Sequence, residues 1–267
     1  MRRFIALLAP LLITASIAQA NILNDTVKPM IVGGKEVDPD VTDVSYIVHF
    51  SGGCGGSIIG DKWILTAAHC SSIFRTPLTG GGSDIYAPSR VKLKVKRGHI
   101  HPDYKDRASS SDYALVELET PIDFAATGLS KIEIADANFE KDGFIDPGTM
   151  LTVYGWGAMN ESGFPNPDRI RYVDVPVVSR EVANSRQAYN GKIDATMIPA
   201  GYAEGGLDSC QGDSGGPLVL KDGPHGYPVQ VGIVSWGHGC ARKNKYGVYS
   251  NIAVGVEWIQ KVMRENP

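Results

Sequence analysis

Long apolar runs are almost absent from this 267-residue chain. Beyond its first twenty residues, no segment reaches the roughly 20 apolar residues that a membrane-spanning helix needs. Charge of one sign is also lacking: 26 basic and 29 acidic side chains leave a net charge of -3, which gives no reason to expect a nucleic-acid partner. Stretches with a 3.6-residue period are scarce, no unit repeats at a period of roughly 20 to 50 residues, and no low-complexity linker interrupts the chain. Helical bundles and solenoids are thereby excluded. Cysteines are few, at positions 54, 70, 210 and 240, and they lack the closely spaced pairs of a zinc site.

With 43% hydrophobic and 21% charged residues, the chain can bury a substantial core. Its first twenty residues read as a removable export signal: Met1-Arg2-Arg3 is basic, Phe4 to Ile17 is mostly apolar, and Ala18-Gln19-Ala20 is a small-residue cleavage site. Export to the cell exterior, or through a bacterial periplasm, would place the four cysteines in an oxidising setting. Disulfides are then favoured over metal thiolates, with three pairings open.

From Ile31 onward, short apolar segments alternate with Gly, Pro, Asn and Asp, the pattern of a largely β protein. In Val91-Lys92-Leu93-Lys94-Val95-Lys96 the period of two predicts one strand with its valines and leucine buried and its lysines in solvent. Further strands are predicted at Ser45–Phe50, Trp63–Thr66, Ala114–Glu119, Met150–Tyr154, Pro217–Leu220 and Val229–Trp236, with one clear helix at Val254–Met263. Such a pattern fits one large barrel or two small packed ones.

Three stretches carry chemistry: TAAHC at Thr66–Cys70, SDYALVEL at Ser111–Leu118, and DSCQGDSGGP at Asp208–Pro217. Singly, each reads as a structural histidine, a turn aspartate or a tight glycine turn. Together they supply an imidazole, a carboxylate and a hydroxyl. A serine hydroxyl is a poor nucleophile near neutral pH and needs a base to take its proton.

The order His69, Asp112, Ser214 resembles the trypsin and chymotrypsin family of serine proteases. The resemblance runs from Ile31 to about Met263 and rests on IVGG, TAAHC, SDYAL, GDSGGP and SWGHGC...YGVY in family order. It implies an all-β fold of two packed six-stranded antiparallel barrels with a C-terminal helix. It further implies a serine endopeptidase in which His69, Asp112 and Ser214 are catalytic and the amides of Gly212 and Ser214 form the oxyanion hole. Substrate-binding roles fall by the same resemblance to Asp208, Ser209, Gln211, Ser235, Trp236, Gly237 and Gly247. Asp208 would lie at the floor of a pocket for Arg or Lys, and Gly237 and Gly247 would keep its walls open.

The resemblance pairs Cys54 with Cys70 and Cys210 with Cys240. It divides the chain into a signal peptide at 1–20, an activation propeptide at 21–30 and a protease domain at 31–267. Cutting between Met30 and Ile31 would free an amine to pair with Asp213. The partners implied are Arg- or Lys-containing protein substrates, an activating protease and protein inhibitors; nucleic acid and membrane are not among them. No cofactor or metal is expected: the stretch where animal trypsins carry a calcium loop offers only Asp84, and His99 with His101 lacks further ligands. Two rival readings are a catalytically silent protease homologue, disfavoured by the intact triad, and an α/β-hydrolase. GDSGG does satisfy Gly-x-Ser-x-Gly, but a histidine upstream of the serine and the scarcity of helices count against that fold.

Overall fold

The computed structural model describes residues 31–106, 110–163 and 165–267. The predicted signal peptide and propeptide lie outside the described residues.

The chain forms β1 (Lys35–Glu36), β2 (Ile47–Phe50), β3 (Cys54–Gly60), β4 (Trp63–Thr66), β5 (Leu78–Gly80), β6 (Val91–Leu93), β7 (Val95–Ile100) and β8 (Ala114–Leu118). Then follow β9 (Glu133–Ile134), β10 (Met150–Gly155), β11 (Arg171–Pro176), β12 (Met197–Ala200), β13 (Pro217–Leu220), β14 (Val229–Trp236) and β15 (Gly247–Asn251).

Two curled antiparallel sheets result. The first runs β6-β5-β2-β3-β4-β8-β7, so that its two ends are the halves of one bent segment. The predicted strand over Val91–Lys96 is therefore two strands parted at Lys94, one pairing with β5 and the other with β8. Its alternation holds, with Val91, Leu93 and Val95 half-buried and the three lysines exposed. The second sheet runs β1-β11-β10-β13-β14-β15-β12, with β9 alongside β14 as a parallel partner. It curls until the residues after β11 meet β12: Val178 N–H donates to the Pro199 carbonyl at 2.8 Å, and Gly201 N–H to the Pro176 carbonyl at 2.9 Å.

Every residue of β4 and β8 is buried, because one face of each strand points into the barrel and the other is covered. The C-terminal helix spans Ile252–Glu265, longer at both ends than its apolar periodicity predicts. Asn251 caps it, its side-chain oxygen accepting Ala253 N–H at 3.2 Å. Gly255 lets this helix approach the ring of Tyr113, where an added Cβ would lie 2.8 Å from a ring carbon. Tyr113 then donates its hydroxyl to the Asn251 carbonyl at 2.8 Å, which fixes the segment bearing Asp112.

Both disulfides form as the resemblance implies, Cys54–Cys70 and Cys210–Cys240. The first ties β3 to the segment carrying His69 across a separation of 16 residues. Closing a loop of that size removes denatured-state entropy of about 3 kcal/mol. The double variant Cys54→Ala/Cys70→Ala should lose stability of that order in urea denaturation.

Candidate active site

His69 sits on the 3-10 helix Ala68–Ile73 that follows β4, and Asp112 lies two residues before the start of β8. Because β4 and β8 pair side by side, with Thr66 opposite Ala114, the two residues meet at one end of the sheet. The Asp112 carboxylate is buried and collects three donors. His69 N–H reaches Oδ1 at 2.9 Å, His69 Nδ1 reaches Oδ2 at 2.7 Å, and the Ser235 hydroxyl reaches Oδ2 at 2.5 Å. Ser250 adds a hydrogen bond to the Asp112 backbone carbonyl at 3.0 Å. With Nδ1–H donated to the carboxylate, Nε2 is the basic nitrogen; it is buried and has no hydrogen-bond partner among the described residues.

Ser214 lies in the turn between Cys210 and β13. Its carbonyl accepts Gly55 N–H at 2.8 Å, which locks the turn onto β3 of the other sheet. Gly215, at φ 77°, packs so closely on the Thr66–Ala67 segment that an added Cβ would lie 2.3 Å from Thr66 Oγ1 and 2.6 Å from the Gly55 carbonyl. These contacts bring Ser214 to the segment bearing His69, although no hydrogen bond joins the two side chains. Gly212 takes φ 99°, a region that strains any residue with a side chain, and a Cβ there would press on Gly157 at 3.0 Å.

Asp213 points away from solvent. Its carboxylate accepts Gly157 N–H at 2.7 Å and Cys210 N–H at 2.9 Å, and Gly155 and Gly157 leave it room. It has no cationic partner among the described residues, and burial pushes its pKa up to about 6 despite the two amides. Ile31 is fully buried, and its neighbour Val32 accepts Asp208 N–H at 3.2 Å.

Ser214 opens onto a cavity of about 340 Å³ that also brings together Asp208, Ser209, Gln211, Ser235, Trp236, Gly237 and Gly247. Asp208 is 4% exposed. Its Oδ2 accepts Ala241 N–H at 2.9 Å, while Oδ1 is buried without a hydrogen-bond partner among the described residues. Burial, with a smaller push from the Asp213 charge, raises its pKa to about 7 against the pull of the Ala241 and Ser209 amides. Gly247 clears the space over Oδ1, since a Cβ there would lie 2.9 Å from that oxygen. Gly237 is less crowded, with its nearest neighbour at 3.5 Å from such a Cβ. Ser209 contacts the Tyr249 hydroxyl at 3.2 Å, and Trp236 is braced edge-on by Tyr189.

Among the described residues, one group of three metal-type ligands comes together, Cys54, His69 and Cys70, and its two sulfurs are spent on the disulfide. His99 packs on Trp63 and reaches Glu117, whereas His101 packs between Tyr113 and Trp258. Asp84 closes a turn by accepting Tyr86 N–H.

Sequence reasoning missed the hydroxyl bonds of Ser235 and Ser250 to the residue beside His69. It also missed the role of Gly157 as a donor to Asp213, and Asn166, whose amide donates to the Trp156 carbonyl at 3.1 Å beside Gly212. The close glycines of the segment Gly155-Trp156-Gly157 were the one available signal.

The trypsin family profile matches residues 31–259. Trypsin 5G1 of Aedes aegypti is 36% identical over 238 residues, which cover 87% of this chain and 84% of that protein. Anionic trypsin of Canis lupus familiaris is 35% identical over 261 residues, 96% of this chain and 99% of that protein. Transmembrane protease serine 11G of Mus musculus is 35% identical over 210 residues, 78% of this chain but only 48% of that protein, about half its length. The chain belongs to the trypsin family of serine endopeptidases.

Proposed function

We propose that this protein is a secreted endopeptidase that cuts peptide bonds after Arg or Lys, made as a zymogen opened between Met30 and Ile31. The observation that carries the specificity is Asp208: a buried carboxylate with one unpartnered oxygen in the cavity beside Ser214. An apolar side chain entering that cavity would leave the charge unpaired, whereas a guanidinium or ammonium satisfies it.

In the proposed reaction the Ser214 hydroxyl attacks the substrate carbonyl while His69 Nε2 takes its proton, and Asp112 stabilises the imidazolium. The amides of Gly212 and Ser214 receive the oxyanion. His69 then protonates the leaving amine, and water resolves the acyl-enzyme by the same route.

The zymogen reading is supported by Asp213 and Ile31, both buried. An amine freed at Ile31 would give the Asp213 carboxylate the counter-ion it lacks. Such pairing raises the amine pKa above its free value of roughly 8, so the active conformation persists below that raised value and is lost as pH climbs through it. The activating protease differs in taste from this enzyme, because the bond to be cut follows Met30, and the Lys28–Pro29 bond is a poor substrate. Secretion rests on the predicted signal peptide. No helix among the described residues is long and apolar enough to cross a membrane.

Two measurements test the reading. Mature protein should cleave a peptide library after Arg and Lys and be labelled at Ser214 by a serine-directed phosphonate; failure of both sinks it. Purified proenzyme incubated alone should keep its amino terminus, and rapid autonomous appearance of Ile31 would refute activation in trans.

A further inference from the structure

A second concavity, of about 740 Å³, shares no residue with the cavity over Asp208. One wall is the continuation of the His69 helix, with Phe74 and Arg75; the other is the bent strand, with Leu93, Lys94, Val95 and Lys96. We propose that this groove docks an acidic, partly apolar segment of a protein partner, separately from the bond-cleaving site.

The charge of the groove favours an acidic occupant. Arg75, Lys94, Lys96 and Arg97 line the groove against a single lining carboxylate, Glu119, in a chain whose net charge is -3. Lys96 and Arg97 both hold the buried carboxylate of Glu117, at 2.8 Å each. Arg75 and Lys94 are exposed and have no carboxylate within ion-pair distance among the described residues. The groove therefore presents positive charge that nothing in the described fold neutralises.

The floor favours apolar side chains in that occupant. It is apolar, built from Phe74, Leu93 and Val95, with Ile100 45% exposed at one end. Gly98 makes this floor possible, since a Cβ there would sit 2.3 Å from the Phe74 ring, which instead reaches the strand. A uniformly charged polyanion gains nothing from an apolar floor. A peptide that alternates acidic and apolar side chains satisfies both features. Moreover, β7 is a terminal strand of its sheet and pairs with β8 on one side. An extended chain is the occupant such an edge accepts.

The full chain carrying Ser214→Ala, which cleaves nothing, separates this test from the protease reading. A fluorescent peptide alternating Asp or Glu with Phe or Leu should bind it, more weakly as salt rises. Arg75→Glu combined with Lys94→Glu should weaken binding about tenfold or more. Replacing the peptide's Phe and Leu by Ser should weaken it as well. Equal binding by the charge-reversed chain would overturn the proposal. So would displacement of the peptide by heparin as effectively as by unlabelled peptide, which would assign the groove to polyanions in general.

Discussion

Replacing Asp112 by Asn is expected to lower kcat/KM for an Arg amide by about 10⁴-fold near neutral pH while leaving the fold in place, a drop of the size this change causes in other Ser-His-Asp enzymes. The geometry supplies the reason. Oδ1 accepts the His69 backbone N–H, so the amide oxygen of Asn must take that place. The NH2 group then occupies the Oδ2 position, facing His69 Nδ1 and the Ser235 hydroxyl. Ser235 can rotate to accept, but Nδ1 can accept only by giving up its proton, which moves to Nε2. A protonated Nε2 in a neutral ring cannot take the proton from Ser214. A matching melting temperature with a collapsed kcat, KM being little changed, is the expected signature. Activity within tenfold of the parent would remove Asp112 from the triad.

The site was legible where chemistry restricts residue identity. His69, Asp112 and Ser214 could each be picked out because few other side chains can act as base, orienter or nucleophile; the structure joins His69 to Asp112 by a hydrogen bond and packs the Ser214 turn on the segment bearing His69. Asp208 was picked out for the same reason, and it lies buried in the lining of the cavity onto which Ser214 opens. Ser235 and Ser250 were not legible in their supporting roles, because a serine on a strand carries no mark of what its hydroxyl will meet. They reach Asp112 only because β14 and β15 pass beneath it.

The fold shows the same division. The strand Trp63–Thr66 was read with its observed bounds, since four buried residues in a row leave a plain apolar signal. By contrast, β3, with the sequence CGGSIIG, escaped notice because its glycines have weak strand preference. Those glycines answer to tertiary packing: a Cβ at Gly55 would crowd the Gly216 backbone at 3.2 Å, and one at Gly56 would meet Ile64 at 2.8 Å. The strand is bare so that the Ser214 turn can lie against it. In β12, Pro199 hid a strand that pairs β15 over all four of its residues.

Asp208→Asn should cost about 10⁴-fold in kcat/KM toward Arg and Lys substrates, because a pocket built around a charge loses its partner and gains no other preference. The parent enzyme should show a related pH effect. With its pKa near 7 in the open pocket, chiefly through burial, Asp208 holds a proton below that pH. A cation can pair only with the ionised form, so binding expels the proton, and affinity for an aryl amidinium inhibitor should fall about tenfold per pH unit below 7. Stability carries the opposite sign from the usual carboxylate. The folded-state pKa lies above the ordinary value of 3.8, so the folded chain binds the proton more tightly than the unfolded one. The stability this proton confers is fully present below about pH 4 and is lost as pH rises through 7. Asn cannot ionise, so in a Ser214→Ala background Asp208→Asn should melt higher than its parent at pH 8, and the gap should close at pH 4. If the gap were the same at both pH values, Asp208 would have to ionise as readily in the fold as in the unfolded chain. Amidinium binding should then be flat between pH 5 and 8, so calorimetry and melting must agree for the buried-carboxylate account to stand.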